Sequence, residues 1–257
     1  MLILLPPSEG KTAPASGPTV DWDTLPGPEL NAWRRTVLAE LAQVSALPDA
    51  LELLKVGASL APEVAANTAL EQAPCAPAAQ VYTGVLYAAA QLDSLTTAGR
   101  ERAGRTVRTV SALWGAVSPL DLIPAYRLSM GVKLPSTGNL ATGWRTHLDQ
   151  VLAPLAQDTV IVDCRSASYL NAWKPAKTLA TEWVTVRVLR ELNGKRTVVS
   201  HNAKHARGVL TAHLLRHKTE PRTAQELFFV AQQCPEFLSV ELLETGARTA
   251  TLELIVT

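Results

Sequence analysis

Four short stretches carry the side chains with the most chemical promise. The first is Ser8-Glu9-Gly10-Lys11-Thr12, which follows the apolar run Leu2–Leu5. Gly-Lys-Thr after a strand is how a phosphate-binding P-loop ends. That loop also needs a glycine five positions before Gly10, and Leu5 stands there. Pro6 and Pro7 occupy two positions that would have to offer backbone N–H groups, and proline has none. An NTPase loop is excluded, yet Ser8, Glu9 and Lys11 remain together on a stiff strand exit.

The second stretch joins Asp121 to Tyr126-Arg127, and the third joins Asp163 to Arg165 and Tyr169. Carboxylates beside arginine and tyrosine suit acid–base work, so Glu9, Asp121, Tyr126 and Asp163 are the catalytic candidates. The same pattern also makes plain structural ion pairs. The fourth stretch, residues 187–218, holds eight Arg/Lys against one acid, Glu191. There Lys204, His205 and Arg207 fall on the first turns of a predicted helix, whose free N–H groups already favour an anion. Lys11, Arg127, Lys204 and Arg207 are therefore read as phosphate-facing cations. "LLKVGASLA" resembles a helix–hairpin–helix, with Lys55 and Gly57 where backbone meets a DNA phosphate. Ser8, Tyr82, Trp114 and Tyr169 would supply pocket walls.

Other chemistries find no support. No G-x-S-x-G is present, and Ser8 has no local base. His201/His205 and His213/His217 are i, i+4 pairs, but neither encloses the glutamate of H-E-x-x-H, so no metal is expected. No cofactor is expected either. Cys75, Cys164 and Cys234 are scattered and odd in number, which suits a reducing cytoplasm without disulfides.

The elements that must position these groups follow from pattern and composition. The 257 residues are 47% apolar and 18% charged, enough for a sizeable core. The net charge of +1 hides an asymmetry: residues 1–98 balance to −6, 99–218 to +11 and 219–257 to −4. The basic centre is a candidate polyanion surface. No apolar run approaches the ~20 residues of a membrane helix. Leu2–Leu5 and "TVIVDC" read as buried strands. Asn193-Gly194 between "EWVTVRVL" and "KRTVVSH" is a hairpin signal, and "SVELLETG" with "RTATLELIVT" makes a second hairpin. Helical spacing covers 29–47, two short stretches hinged near Gly57, 99–113 and 202–217. A capping box at Thr223–Glu226 opens a further helix. Strands interleave with helices while several pair antiparallel. That describes a mixed α/β (α+β) domain rather than a doubly wound one, and no internal boundary divides residues 1–257.

Taken in order, "LILLPPSEGKT", "VYTGVLY", "SALWGAVSPLDLIPAYRLSMGVKL", "VDCRSASYLNAWKP" and "VVSHNAKHARGVL" resemble the YaaA peroxide-stress family. The resemblance implies a single domain of unusual topology with a basic cleft and a helix–hairpin–helix-like element at Leu54–Leu60. The cleft would draw on Lys133, Arg165, Lys204 and Arg207. It further implies a cytoplasmic protein that limits iron and oxidative damage under peroxide and binds nucleic acid, with double-stranded DNA expected. The alternative left open by the residues is an enzyme acting on a nucleobase or nucleotide in a polar, aromatic-walled pocket.

Overall fold

Strand β1 (Leu2–Leu5) is apolar at every position and buried at every position, as a central strand covered on both faces must be. The computed structural model, which describes residues 1–198 and 201–257, sets it between two parallel neighbours. β2 (Val107–Ser111) pairs with it in the register Ile3↔Val107, followed by β3 (Gly115–Val117), which turns back antiparallel on β2. On the other side β4 (Val160–Asp163) pairs parallel, Leu4 opposite Asp163. β5 (Glu182–Leu192) follows outward from β4. β6 (Lys195–Val198) returns along the β5 edge beyond the point where β4 stops. β7 (Ser239–Gly246) and β8 (Thr249–Val256) close the chain, with β8 parallel to β5.

The resulting order is β7-β8-β5-β4-β1-β2-β3, with β6 off the path. The sheet is mixed, as the pattern of hairpins and crossovers predicts. Its five central strands are all parallel, and antiparallel pairing is confined to the edges and the β5–β6 hairpin. From β1 the chain steps to one side, then returns to β4 on the other. The sheet therefore reverses its winding between β1 and β4, and in such sheets a crevice forms at the carboxyl ends of the two strands.

Both hairpins form. At β5–β6, Asn193 and Gly194 have φ of 51° and 74°, the two positive angles a type I′ turn requires. The predicted helix over 99–113 is shorter than its basic pattern suggests. It runs from Thr97 to Thr106, capped by the Thr96 hydroxyl, and residues 107–111 form β2. Val107, Thr109 and Val110 decide this. Branched side chains favour the pleated surface, and burial beside β1 outweighs the helical spacing of the arginines. The helix Asn31–Ser45 starts behind a short 3-10 turn at Pro28–Leu30. A 17-residue helix, Leu140–Ala156, is capped by Asn139 and contains Gly143 and Pro154. Gly143 is needed there, because a Cβ would lie 2.3 Å from the Trp33 ring. Among the described residues no helix is long and apolar enough to cross a membrane.

Candidate functional site

The crevice between β1 and β4 is where the chemistry-bearing stretches meet. Cys164 N–H donates to the Leu4 carbonyl at 2.9 Å, so the two strands leave the sheet side by side. Pro6 and Pro7 hold the β1 exit extended. The turn after them is fastened to residues 81–83. Ser8 Oγ accepts from Thr83 N–H at 3.0 Å, Thr12 N–H donates to the Val81 carbonyl at 2.9 Å, and Lys11 bridges Tyr82. Tyr87 Oη donates to the Pro6 carbonyl at 2.9 Å.

The third wall comes from helix packing. The short helix Val85–Ala90 lies against the helix His201–Arg216 at Gly208, where a Cβ would stand 2.2 Å from the Leu86 carbonyl oxygen. Glycine mid-helix costs about 1 kcal/mol relative to alanine. Here it permits backbone contact, and that contact brings Lys204 and Arg207 to the crevice. The cavity so enclosed has a volume of ≈ 260 Å³. Pro6–Gly10, Thr83–Tyr87, Ser166, Tyr169, Lys204 and Arg207 line it.

Behind the Ser8–Gly10 wall lies a layer of coupled polar groups. Lys11 Nζ donates to the Ser8 carbonyl at 2.8 Å and sits 4.4 Å from the centre of the Tyr126 ring. Burial, followed by the nearby Arg127 cation, brings its pKa down from 10.5 to about 7, against the opposing pull of Glu9 and Glu63. Arg127 is itself committed. Its Nε donates to Glu63 at 2.8 Å, its Nη1 donates to the Glu9 carbonyl, and the Glu9 carboxylate lies 3.8 Å away. The Tyr126 hydroxyl bonds Tyr82 Oη at 3.0 Å and Ser111 Oγ at 2.7 Å. Burial pushes both phenols up, so they act as neutral hydroxyls. Tyr169 Oη accepts from Met130 N–H, and burial followed by the Glu9 charge pushes this phenol up to about 12.

Asp163 and Arg165 form a fully buried pair. Arg165 Nε and Nη2 donate to the two carboxylate oxygens at 2.9 and 2.7 Å, the Arg165 backbone N–H adds a third bond at 3.1 Å, and Trp183 Nε1 a fourth at 2.9 Å. The same guanidinium donates to the carbonyls of Tyr169 and Trp173, which fixes the loop carrying Ser166 and Tyr169. Asp163 has no free lone-pair direction left to meet a substrate, and Arg165 none of its charge for a phosphate. Both position the site rather than line it.

The remaining predicted residues lie elsewhere. Asp121 accepts from Ser118 N–H at 2.6 Å, with its pKa raised by burial and lowered less by Ser118, Arg108 and Arg34. It does not line the cavity. Trp114 is buried behind Tyr126, edge-on at 6.5 Å. Lys55 and Lys133 are exposed and apart from the cavity, with Lys55 Nζ 3.5 Å from the Gly131 carbonyl. Two short helices, Ala50–Leu53 and Ala61–Ala66, flank Gly57. Gly57 has φ −75° with nothing within 4 Å of an added Cβ, so no left-handed turn or close contact requires a glycine there. The positive φ in that turn belongs to Lys55.

Several arginines of the basic central segment are engaged internally. Arg102 donates to the carbonyls ending the helix His201–Arg216, Arg105 meets Glu220, Arg187 meets Glu253, and Arg196 bridges Glu191 and Glu241. Among the described residues Lys204 and Arg207 have no carboxylate within 4.0 Å. Arg207 Nη2 donates to the Val186 carbonyl at 2.9 Å, and its buried Nε lacks an acceptor. Of the histidines, His205 is exposed, His213 meets the Val230 carbonyl, and the His201 side chain lies outside the described residues. No group of three metal-ligating side chains occurs among the described residues.

Thr83, Gly84, Leu86 and Tyr87, in the stretch "VYTGVLY", are cavity walls that residue type alone does not mark out. The available signals were Gly84, which takes φ 96° at the turn, and the helix-weakening Gly208.

The family described as peroxide stress protein YaaA matches residues 1–232. A UPF0246 protein of Streptomyces coelicolor is 42% identical, with 100% of this chain and 98% of the relative covered. A UPF0246 protein of Corynebacterium efficiens is 40% identical over 98% of this chain and 99% of its own. One from Corynebacterium glutamicum is 39% identical over 90% and 92%. With both a family match over most of its length and relatives aligned nearly end to end, the chain belongs to the YaaA peroxide-stress family.

Proposed function

We propose that this protein acts in the cytoplasm during peroxide stress by binding DNA, with one nucleotide unit of the strand held at the β1–β4 crevice. The observation that carries the reading is the pairing state of the cations. Among the described residues Lys204 and Arg207 edge the cavity without a carboxylate partner, while Arg127 and Arg165 beside it are neutralised. Cations left open in this way suit a phosphate, and the Pro, Leu and Tyr walls suit a sugar or base.

Fluorescence anisotropy on duplex DNA, intact and with one unpaired nucleotide, tests this across a salt series. The one phosphate held by these two cations gives a log–log slope of about −0.9. The unpaired site should bind more tightly, and Lys204→Ala with Arg207→Ala should flatten the slope. No binding at low salt, or a flat dependence in the parent protein, refutes the reading.

A second reading, an enzyme on a nucleobase or nucleotide, is favoured by the hydroxyl chain Ser111–Tyr126–Tyr82 that ends beside Lys11. Turnover of nucleotides that Tyr126→Phe abolishes without loss of folding supports it; absence of turnover removes it.

A further inference from the structure

Strand β5 overshoots the sheet at the rim where the crevice opens. Its last partner on β4 is the pair Asp163↔Thr185, so residues 186–192 run on past the carboxyl end of β4. At about 3.3 Å per residue, Leu192 stands roughly 23 Å beyond that point. β6 pairs back along this extension, from Lys195↔Leu192 to Val198↔Leu189, while β8 reaches only to Arg190. The end of β5 is therefore a two-stranded arm, and every residue of β6 is exposed.

The two faces of the arm differ in charge. Strand alternation puts Arg187, Leu189 and Glu191 on one face, with Arg196 and Val198 across from them. The charges there are paired: Arg187 meets Glu253, and Arg196 meets Glu191 and Glu241 at 2.8 and 2.7 Å. The opposite face starts from Val184, Val186 and Val188, which share the core with Ala203, Ala206 and Leu210 of the helix His201–Arg216. It continues outward as Arg190 and Leu192, with Thr197 and Lys195 across from them. All four of these outer side chains are exposed, Leu192 to 57%. Among the described residues neither Arg190 nor Lys195 has a carboxylate within 4.0 Å. They stand on the helix side of the sheet, the side that carries Lys204 to the cavity edge.

Open cations and paired ones act differently on a polyanion, because only an open cation neutralises a phosphate and releases its counterions. Arg190 and Lys195 are diagonal neighbours, about 7–8 Å apart at the backbone, close to the separation of successive phosphates along a strand. A two-stranded ribbon also fits the major groove of a duplex. We propose that the β5–β6 hairpin is a second DNA contact, an arm lying in the groove of the duplex beside the crevice, with Arg190 and Lys195 on two backbone phosphates and Leu192 against the base edges. The proposal rests on the nucleic-acid reading above for its ligand, and its test separates the two.

Fluorescence anisotropy on duplex DNA across a salt series compares three double variants with the parent protein. Two phosphates on the arm and one at the crevice give a parent slope of about −2.7. Arg190→Ala with Lys195→Ala should bring it to about −0.9, and Lys204→Ala with Arg207→Ala to about −1.8. Lys218→Ala with Arg222→Ala removes the same charge beyond the other end of the helix His201–Arg216 and should leave the parent slope. The arm residues are exposed, so the melting curve of their variant should match that of the parent protein. Cys75, Cys164 and Cys234 are buried, so a thiol-reactive photo-crosslinker on Leu192→Cys reports the tip alone and should yield a DNA adduct. A slope lowered by the crevice variant but not by the arm variant refutes the arm and leaves the DNA reading standing. So does a control variant that lowers the slope as much as the arm variant, or a bound duplex that gives no adduct. A slope lowered by the arm variant alone upholds the arm and refutes the crevice as the nucleotide site. A parent protein that binds no duplex at low salt refutes both.

Discussion

Replacing Gly208 by alanine sets two opposed effects against each other. In the middle of the helix His201–Arg216, alanine is favoured over glycine by about 1 kcal/mol. Tertiary packing argues the other way. The added methyl would stand 2.2 Å from the Leu86 carbonyl oxygen, 2.7 Å from Ala89 Cβ and 3.1 Å from Ala90 N. A tolerable carbon–oxygen separation is about 3.3 Å, so the two helices must part by about 1 Å. Two of the three obstacles are backbone, which has no rotamer to yield. Overpacking of this kind costs about 1–3 kcal/mol, and its upper half applies here, leaving a net loss of about 1–2 kcal/mol. For a chain of this size that lowers Tm by roughly 2–8 °C. The displacement falls on the wall that carries Lys204 and Arg207, so under the proposed function DNA affinity should fall as well. Thermal denaturation by circular dichroism and the anisotropy assay measure the two effects. A variant as stable as the parent protein with unchanged affinity would show that the helices are not held in contact at this point.

Three further outcomes follow from the geometry. Asp163→Asn removes one partner of a fully buried ion pair and should destabilise the protein by about 3–5 kcal/mol in denaturant unfolding, whereas a loss under about 1 kcal/mol would contradict the buried pairing. Lys11 binds its proton more weakly when folded, with a pKa of about 7 against 10.5, so the unfolded chain holds more protons between those values. Stability of the parent protein relative to Lys11→Met should therefore rise as pH increases from about 7 towards 10, and a flat difference across that range would refute the shift. Burial pushes the thiols of Cys75 and Cys164 up to about 11 and about 12 and raises that of Cys234. Iodoacetamide at pH 8 should leave all three unlabelled in the native state, and rapid native labelling would show an accessible thiolate.

The local parts of the molecule were legible in the sequence because their causes are local. Leu2–Leu5 is a central strand because all four residues are apolar. Asn193-Gly194 turns a hairpin because both residues tolerate positive φ. Thr223 caps the helix Ala224–Gln232 because its hydroxyl reaches Glu226 N–H at 3.1 Å. Pro6-Pro7 stiffens the exit that carries Ser8, Glu9 and Lys11 whatever surrounds it. The roles of the charged residues were not legible in the same way, since a charge is defined by what it meets. Arg127, Arg165 and Lys204 look alike in the chain. Glu63, 64 positions from Arg127, neutralises the first, and Asp163 the second, while Lys204 stays open at the cavity. The arginine-rich spacing of 99–113 likewise gave way at Val107, because burial against β1 is a property of the sheet. Composition and pattern determined which residues were available for chemistry. Only the tertiary structure, by bringing the ends of β1 and β4 together and pressing Gly208 against Leu86, decided which of them face a common space and which are already bound to one another.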